Sequence, residues 1–203
     1  MNQTLKPYFQ SKLIEAGCDE VGRGCLAGPV VAAAVILPKD YQHDVLTDSK
    51  KLSKTKRNQI QADIKRDAIS WAIAEVSHTK IDEINILNAS FLAMHRALDK
   101  LEVKAEYLLI DGNRFNAYKK LEHKCIVKGD SKYLPIAAAS ILAKTYRDDL
   151  MESLAEKYPY YGWESNAGYP TKQHRAGIEK YGITPLHRKS FKLLPDQVEI
   201  LKS

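Results

Sequence analysis

Gly17-Cys18-Asp19-Glu20-Val21-Gly22-Arg23-Gly24 is an apolar, strand-like run that carries two adjacent carboxylates into a turn made of two glycines and an arginine. On an ordinary buried strand a charged pair costs several kcal/mol per ion unless something compensates it. Hard carboxylate oxygens are the ligands that divalent magnesium prefers, so a metal site is the first expectation. A strand end whose two acids simply reach solvent is the plain alternative, and the rest of the chain decides between the two.

On either side of that turn, residues 13–21 and 30–37 read as strands, the second closed by Pro38. So short a connection implies an antiparallel pair. Ser53 is placed to cap a helix over residues 54–67, and 69–76 alternates in the manner of a third strand. Asn88 reads as another cap, with Phe91, Met94, His95, Leu98 and Leu101 following at helical spacing, and 107–110 is a short apolar run ending at Asp111. A fifth strand is expected at 125–127. Residues 131–157 read as largely helical, with Leu142, Tyr146, Leu150 and Leu154 recurring every four residues, Pro135 near the start and Pro159 as the stop. Ala137, Ala138 and Ala139 are small enough for that helix to approach its neighbour closely. Residues 158–169 read as an aromatic, glycine-bearing loop, and 171–180 as a short helix.

The 203 residues suit one domain with a sizeable core, and 44% hydrophobic with 28% charged residues indicates neither disorder nor a fibrous repeat. Lys and Arg outnumber Asp and Glu by 31 to 25, a net charge of +6 that favours a polyanionic partner without establishing one. Cys18, Cys25 and Cys125 are odd in number and lack CxxC or CxxH spacing, which suggests neither a disulfide framework nor a zinc site and fits the reducing cytoplasm. The first residues show no export signal, and the longest apolar stretch, 30–37, is far too short to span a bilayer, so no membrane is expected.

Gly22, Gly24 and Gly28 loosely match a dinucleotide-binding loop. That motif needs a helix facing a pyrophosphate, whereas Pro29 and the apolar run behind it predict a strand, and Asp19 and Glu20 would repel the phosphate. Glycines also let backbone amides approach a phosphodiester closely, with Arg23 beside them to neutralise it; a plain tight turn with a surface arginine is the alternative. Two further acids stand in matching contexts, Asp111 after Leu108-Leu109-Ile110 and Asp130 after Val127-Lys128-Gly129. Carboxylates at strand ends can converge, although capping is a strong alternative for Asp130.

These stretches, together with Asp48-Ser49-Lys50-Lys51-Leu52, Asp111-Gly112-Asn113, Lys128-Gly129-Asp130, the run from Ala137 to Lys144, Arg147-Asp148, Gly168-Tyr169 and His187-Arg188, resemble ribonuclease HII in order over nearly the whole chain. Val21 and Cys25 stand where alanine and proline are common in that family, which puts the shape of the loop near Arg23 in question. The resemblance implies an α/β, ribonuclease H-like fold: a mixed five-stranded sheet flanked by helices, with residues 1–157 as catalytic core and 158–203 as a C-terminal loop and helical appendage packed on it.

It further implies that Asp19, Glu20, Asp111 and Asp130 are the four acidic catalytic residues and hold two divalent ions, Mg2+ or Mn2+, during catalysis. The substrates would be RNA/DNA hybrids and duplex DNA with embedded ribonucleotides, cut by a monomer; no sliding-clamp contact is read from the residues. Gly22, Arg23 and Gly24 would read the ribose 2′-hydroxyl together with Tyr169. Lys51, Ser140, Lys144 and Arg147 would complete the substrate contacts, the basic ones through phosphates. The six histidines are assigned no catalytic role.

Overall fold

The structure is a computed structural model and describes residues 5–43, 46 and 52–194. Five strands form one sheet: β1 (Glu15–Val21), β2 (Val30–Ile36), β3 (Ser70–Val76), β4 (Tyr107–Asp111) and β5 (Glu122–Ile126). Their order is β3-β2-β1-β4-β5, antiparallel from β3 to β1 and parallel from β1 to β5. The helices are α1 (Lys54–Asp67), α2 (His78–Asp99), α3 (Leu134–Lys157), α4 (Trp163–Asn166) and α5 (Lys172–Tyr181). The mixed five-stranded sheet expected from the sequence is therefore present.

β2, Val-Val-Ala-Ala-Ala-Val-Ile, is buried along its whole length. A continuous apolar run is what a strand covered on both faces requires. Val30, Ala32, Ala34 and Ile36 pack with Ala89, Ala93, Met94 and Ala97 of α2, while Val31, Ala33 and Val35 on the other face meet Ile60 and Ile64 of α1 and the alanines of α3. β3 alternates buried and exposed residues as an edge strand.

α3 packs hardest on β1. A Cβ built on Gly17 would lie 2.2 Å from the carbonyl carbon of Pro135 and 2.4 Å from the amide nitrogen of Ile136, so the helix backbone rests directly on the strand. Pro135 sits in the first turn, where a missing N–H leaves nothing unsatisfied, and Ala137, Ala138 and Ala139 are fully buried. The apolar face expected of α3 is rotated by one residue: Tyr146 is exposed, and the buried line along the second half runs Ala143, Arg147, Met151, Ala155. That face meets Leu26 and Ala27, which follow β1, together with Tyr161, Trp163, Ala167, Ile178 and Leu193 of the C-terminal segment.

The cap expected at Asn88 is made instead by Asn85. Its backbone is left-handed at φ 64°, and its Oδ1 accepts from the amides of Leu87 (3.0 Å) and Asn88 (3.1 Å), so α2 kinks there. An earlier turn, capped by Ser77, precedes the kink. Ser53 and Thr171 cap α1 and α5. Inside the region expected to be loop, α4 adds a single short turn.

Because backbone lies within 2.5 Å of the added methyl, Gly17→Ala is expected to lower stability by about 1–3 kcal/mol or more, the usual range for overpacking. Urea unfolding measures it, and an unchanged midpoint would show that α3 can lift off β1 freely.

Candidate active site

The parallel register of β1 and β4 ends at Cys18 opposite Ile110, so Asp19 and Asp111 come next on neighbouring strands, ~4.8 Å apart in the sheet. Both follow the parity of Gly17 and Leu109 and face α3. Ser140 of α3 hydrogen-bonds the Asp19 carboxylate, and the Glu20 amide donates to Asp19 Oδ1 at 2.8 Å. Asp111 Oδ1 accepts from the amide of Gly129 at 2.7 Å. That bond fixes the 3-10 turn Gly129–Ser131, in which Asp130 is buried. Glu20, one residue past Asp19, turns to Arg23, with Oε1 3.1 Å from Nη1.

The acids sense one another. Burial first, then the charges of Glu20 and Asp111, hold the Asp19 carboxyl well above the usual carboxylate range, against the opposing hydrogen bond from Ser140. Burial pushes Glu20 up to about 7 even though Arg23 pulls the other way, and Asp111 adds to the rise. Such crowding of negative charge is what a bound cation relieves. All four side chains are hard oxygen donors, so the donor chemistry fits magnesium or manganese. Among the described residues no three His, Cys, Asp or Glu side chains are drawn in as a ready metal clasp; Glu20 is turned onto Arg23 and Asp111 onto the Gly129 amide.

Beside the acids lies the turn that runs from Gly22 to Pro29. Gly22 has φ 94°, and a Cβ there would lie 2.2 Å from Arg147 Nε; both the left-handed backbone and the lack of space require glycine. Two fully buried arginines hold this loop from beneath. Arg147 donates to the carbonyls of Pro29 (2.9 Å), Ala167 (2.7 Å) and Ala27 (3.1 Å). Arg188 donates to those of Gly28 (3.0 Å), Arg23 (3.0 Å) and Pro29 (3.1 Å). The backbone is laced to the C-terminal segment as well, through Leu26 N to Gly168 O, Gly28 N to Leu186 O and Arg188 N to Leu26 O.

Arg147 is therefore not a phosphate contact. It has no exposed surface, and its guanidinium is engaged by three carbonyls, so the substrate contact expected of it is corrected to a structural one. Arg188, noted in the sequence only as part of a motif, carries an equal share of the loop. A charged head at a helix position reads as surface in a sequence, and only the neighbouring Met151 and Ala155 at four-residue spacing mark that face of α3 as internal.

Tyr169 comes to the loop from the other side. Its Cε1 is 3.9 Å from where a Gly24 Cβ would sit, and its side chain hydrogen-bonds Cys25. Cys25 is itself buried, its Sγ 3.6 Å from Ala167 O, so the departure from proline leaves the loop anchored. Tyr169 also borders a polar cavity of about 230 Å³ that contains Lys144, Arg57 and Asp148. Lys144 pairs with Asp148 at 2.7 Å and keeps 21% of its side chain exposed, enough to reach a ligand. Lys51 lies outside the described residues. A larger cavity of about 600 Å³, lined by Leu98, Leu101, Ala105, Tyr118 and Leu121, sits beyond the opposite end of β4 and holds none of the carboxylates.

A mixed sheet in this strand order, helices on both faces and acids at the ends of its two central parallel strands define a nuclease of the ribonuclease H-like class. The family model for ribonuclease HII matches residues 16–194. The ribonuclease HII of Parabacteroides distasonis is 61% identical over 196 residues, 97% of this chain and 98% of its own. That of Bacteroides thetaiotaomicron is 60% identical over 192 residues, 95% and 96% of the two chains. Among solved structures, the ribonuclease HII of Archaeoglobus fulgidus, solved in complex with PCNA, superposes with a TM-score of 0.74 at 28% identity, covering 89% of this chain and 96% of that one. The chain belongs to the ribonuclease HII family and is a ribonuclease H-type endonuclease.

The two cations on α3 separate by experiment. Lys144→Ala is expected to lower the slope of log affinity against log salt for hybrid binding by about one unit, as one lost phosphate contact does. Arg147→Met is expected to leave that slope alone and to lower stability by about 3 kcal/mol, because the carbonyls of Ala27, Ala167 and Pro29 each lose one hydrogen bond. A reduced slope in a stable Arg147→Met protein would contradict the buried placement.

Proposed function

We propose that this endonuclease hydrolyses the RNA strand of RNA/DNA hybrids and also cuts duplex DNA on the 5′ side of an embedded ribonucleotide, leaving a 3′-hydroxyl and a 5′-phosphate, and so serves ribonucleotide removal from DNA. The observation that carries this reading is a chain of neighbouring groups. It runs from Asp19, Glu20 and Asp111 through the Glu20–Arg23 ion pair to Gly24 and Tyr169.

Asp19, Glu20, Asp111 and Asp130 are the residues that would hold metal. Two divalent ions, Mg2+ or Mn2+, would supply when bound an activated water and stabilisation of the leaving 3′ oxygen. Ser140 orients Asp19 through its hydroxyl and, buried as it is, serves substrate through that carboxylate. Arg23 is half exposed and can leave Glu20 for a phosphate once Glu20 turns to a cation. The backbone at Gly22, Arg23 and Gly24, free of β-carbons at its two ends, can meet a 2′-hydroxyl, which both donates and accepts and is absent from DNA. Tyr169 offers a ring for the sugar that follows, and Lys144 and Lys51 offer charge to the backbone phosphates.

The lacing of the Gly22 loop to Gly168, Leu186 and Arg188 supports treating residues 1–157 and 158–203 as one functional unit. The enzyme is proposed to act as a monomer. The thiols of Cys18, Cys25 and Cys125 are free, in keeping with a reducing cytoplasm, and among the described residues no helix is long and apolar enough to cross a membrane.

Asp111→Asn keeps an Oδ1 to accept the Gly129 amide, so the fold is expected to persist while one negative charge is lost. Cleavage of an RNA/DNA hybrid in magnesium should fall by more than the roughly 10–100-fold that outer-sphere partners of a metal command; near-normal cleavage would remove Asp111 from the metal-holding set. For Tyr169, an aromatic stack is worth about 1–3 kcal/mol. Tyr169→Ala should therefore slow cleavage at a single embedded ribonucleotide by about tenfold or more, with Tyr169→Phe less affected and uniform hybrids losing less. Equal losses on both substrates would show that the ring only supports the loop.

A further inference from the structure

Behind Tyr169 lies a buried chain of aromatic and imidazole groups that the reaction, as described so far, does not use. His174 and His187 have no exposed surface, and Trp163 is almost as deeply placed. The indole Nε1–H of Trp163 donates to His174 Nε2 at 3.0 Å. With that nitrogen an acceptor, a neutral His174 carries its proton on Nδ1, which stands 2.9 Å from the carbonyl oxygen of Tyr169. The amide of Thr184 donates to His187 Nδ1 at 2.9 Å, so the proton of His187 is on Nε2, 3.1 Å from His174 Nε2. Each tautomer is assigned by the donor that faces it. Burial holds both imidazoles below the usual histidine range, His187 down to about 4, so the pair is neutral at physiological pH.

The direction of this network is fixed from end to end. Two N–H groups converge on His174 Nε2, and the one proton His174 can offer leaves at the opposite side of the ring, toward Tyr169. The same carbonyl also accepts from the amide of Thr171 at 2.8 Å, and Thr171 Oγ1 receives the His174 amide at 3.2 Å. Tyr169 is thus set at the backbone by His174 and at the ring by Cys25, while Gly168, at φ 82°, has its Cα packed on Ala27 of the Gly22 loop. With the Thr171 amide already on that carbonyl, the His174 N–H is a second donor to it.

We propose that His174, oriented by Trp163 and His187, is a positioning residue that sets the angle at which Tyr169 meets the sugar next to the cleaved ribonucleotide, and so helps to determine the preference for single embedded ribonucleotides. The inference rests on the reading of Tyr169 as the junction contact given above. It assigns His174 no contact with substrate and no proton transfer.

The test compares kcat and KM on duplex DNA containing one ribonucleotide and on a uniform RNA/DNA hybrid, for the wild type, Tyr169→Ala, His174→Leu, His174→Asn and Trp163→Phe, each at a temperature where it is fully folded by circular dichroism. His174→Leu is expected to lower kcat on the single-ribonucleotide substrate about tenfold, the scale of a misplaced positioning group, with hybrid cleavage little changed. His174→Asn, which restores an N–H near the Nδ1 position, should recover much of the loss, and combining His174→Leu with Tyr169→Ala should add nothing to Tyr169→Ala alone. Trp163→Phe removes only the indole donor and should lower the same ratio by a smaller factor; it carries the test if the leucine variant does not fold. Equal losses on both substrates in these variants, or an unchanged ratio beside a Tyr169→Ala protein whose ratio has fallen, would overturn the proposal while leaving the role of Tyr169 intact. A Tyr169→Ala protein with an unchanged ratio would instead bring down the reading of Tyr169, and the positioning role with it.

Discussion

Negative charge is buried where β1 and β4 end side by side, and the surrounding structure answers to that constraint. Asp19 is almost inaccessible and the Glu20 side chain keeps only 11% exposure; burial drives both toward their protonated forms, with the charge of Asp111 adding to both rises and that of Glu20 to the rise of Asp19. Buried charges are tolerated when they are paired or hydrogen-bonded. Here the partners are Ser140 on Asp19, Arg23 on Glu20 and the Gly129 amide on Asp111. α3 must approach closely enough for Ser140 to reach Asp19, and that approach is possible because position 17 has no β-carbon to keep Pro135 and Ile136 away.

A second constraint follows from where the acids point. On the proposed reading substrate is met by the backbone turn immediately after β1, and a turn of glycines has little intrinsic order. Arg147 and Arg188 supply that order from below. Each is buried, and together they satisfy the carbonyls of Arg23, Ala27, Gly28, Pro29 and Ala167. Burial lowers Arg188 only to about 10, so it stays charged at neutral pH. One arginine comes from α3 and the other from the C-terminal segment, so the loop is held between the two parts of the chain that also carry Ser140 and Tyr169.

The first four strands and most helix boundaries were legible because local chemistry set them, whereas β5 begins three residues ahead of the run expected at 125–127. The apolar run at 30–37, the cap Ser53 and Pro135 all act within one turn of chain. The cap on α2 was misplaced from Asn85 to Asn88 because both are asparagines and only the left-handed backbone at Asn85 distinguishes them. The adjacent acids Asp19 and Glu20 were visible as an anomaly on a strand, but their closeness to Asp111 depends on strand register, which no short window contains. Arg147 was misread for the same kind of reason. A cation among motif residues suggests solvent or phosphate, and the carbonyls that enclose it lie about 20 and 120 positions away in sequence. The histidine pair behind Tyr169 was passed over because neither ring touches the acids.

Buried acids that repel one another, held in place by the fold and relieved by a cation, should link metal binding to stability. A ligand present at about a hundredfold its dissociation constant stabilises the folded state by about 2.7 kcal/mol. Thermal unfolding measured across a magnesium titration, with ionic strength held constant by potassium chloride, tests this directly. The account predicts a saturating rise in the unfolding temperature of the wild-type protein that is largely lost in Asp111→Asn; equal rises in the two proteins, or no rise in the wild type, would contradict it.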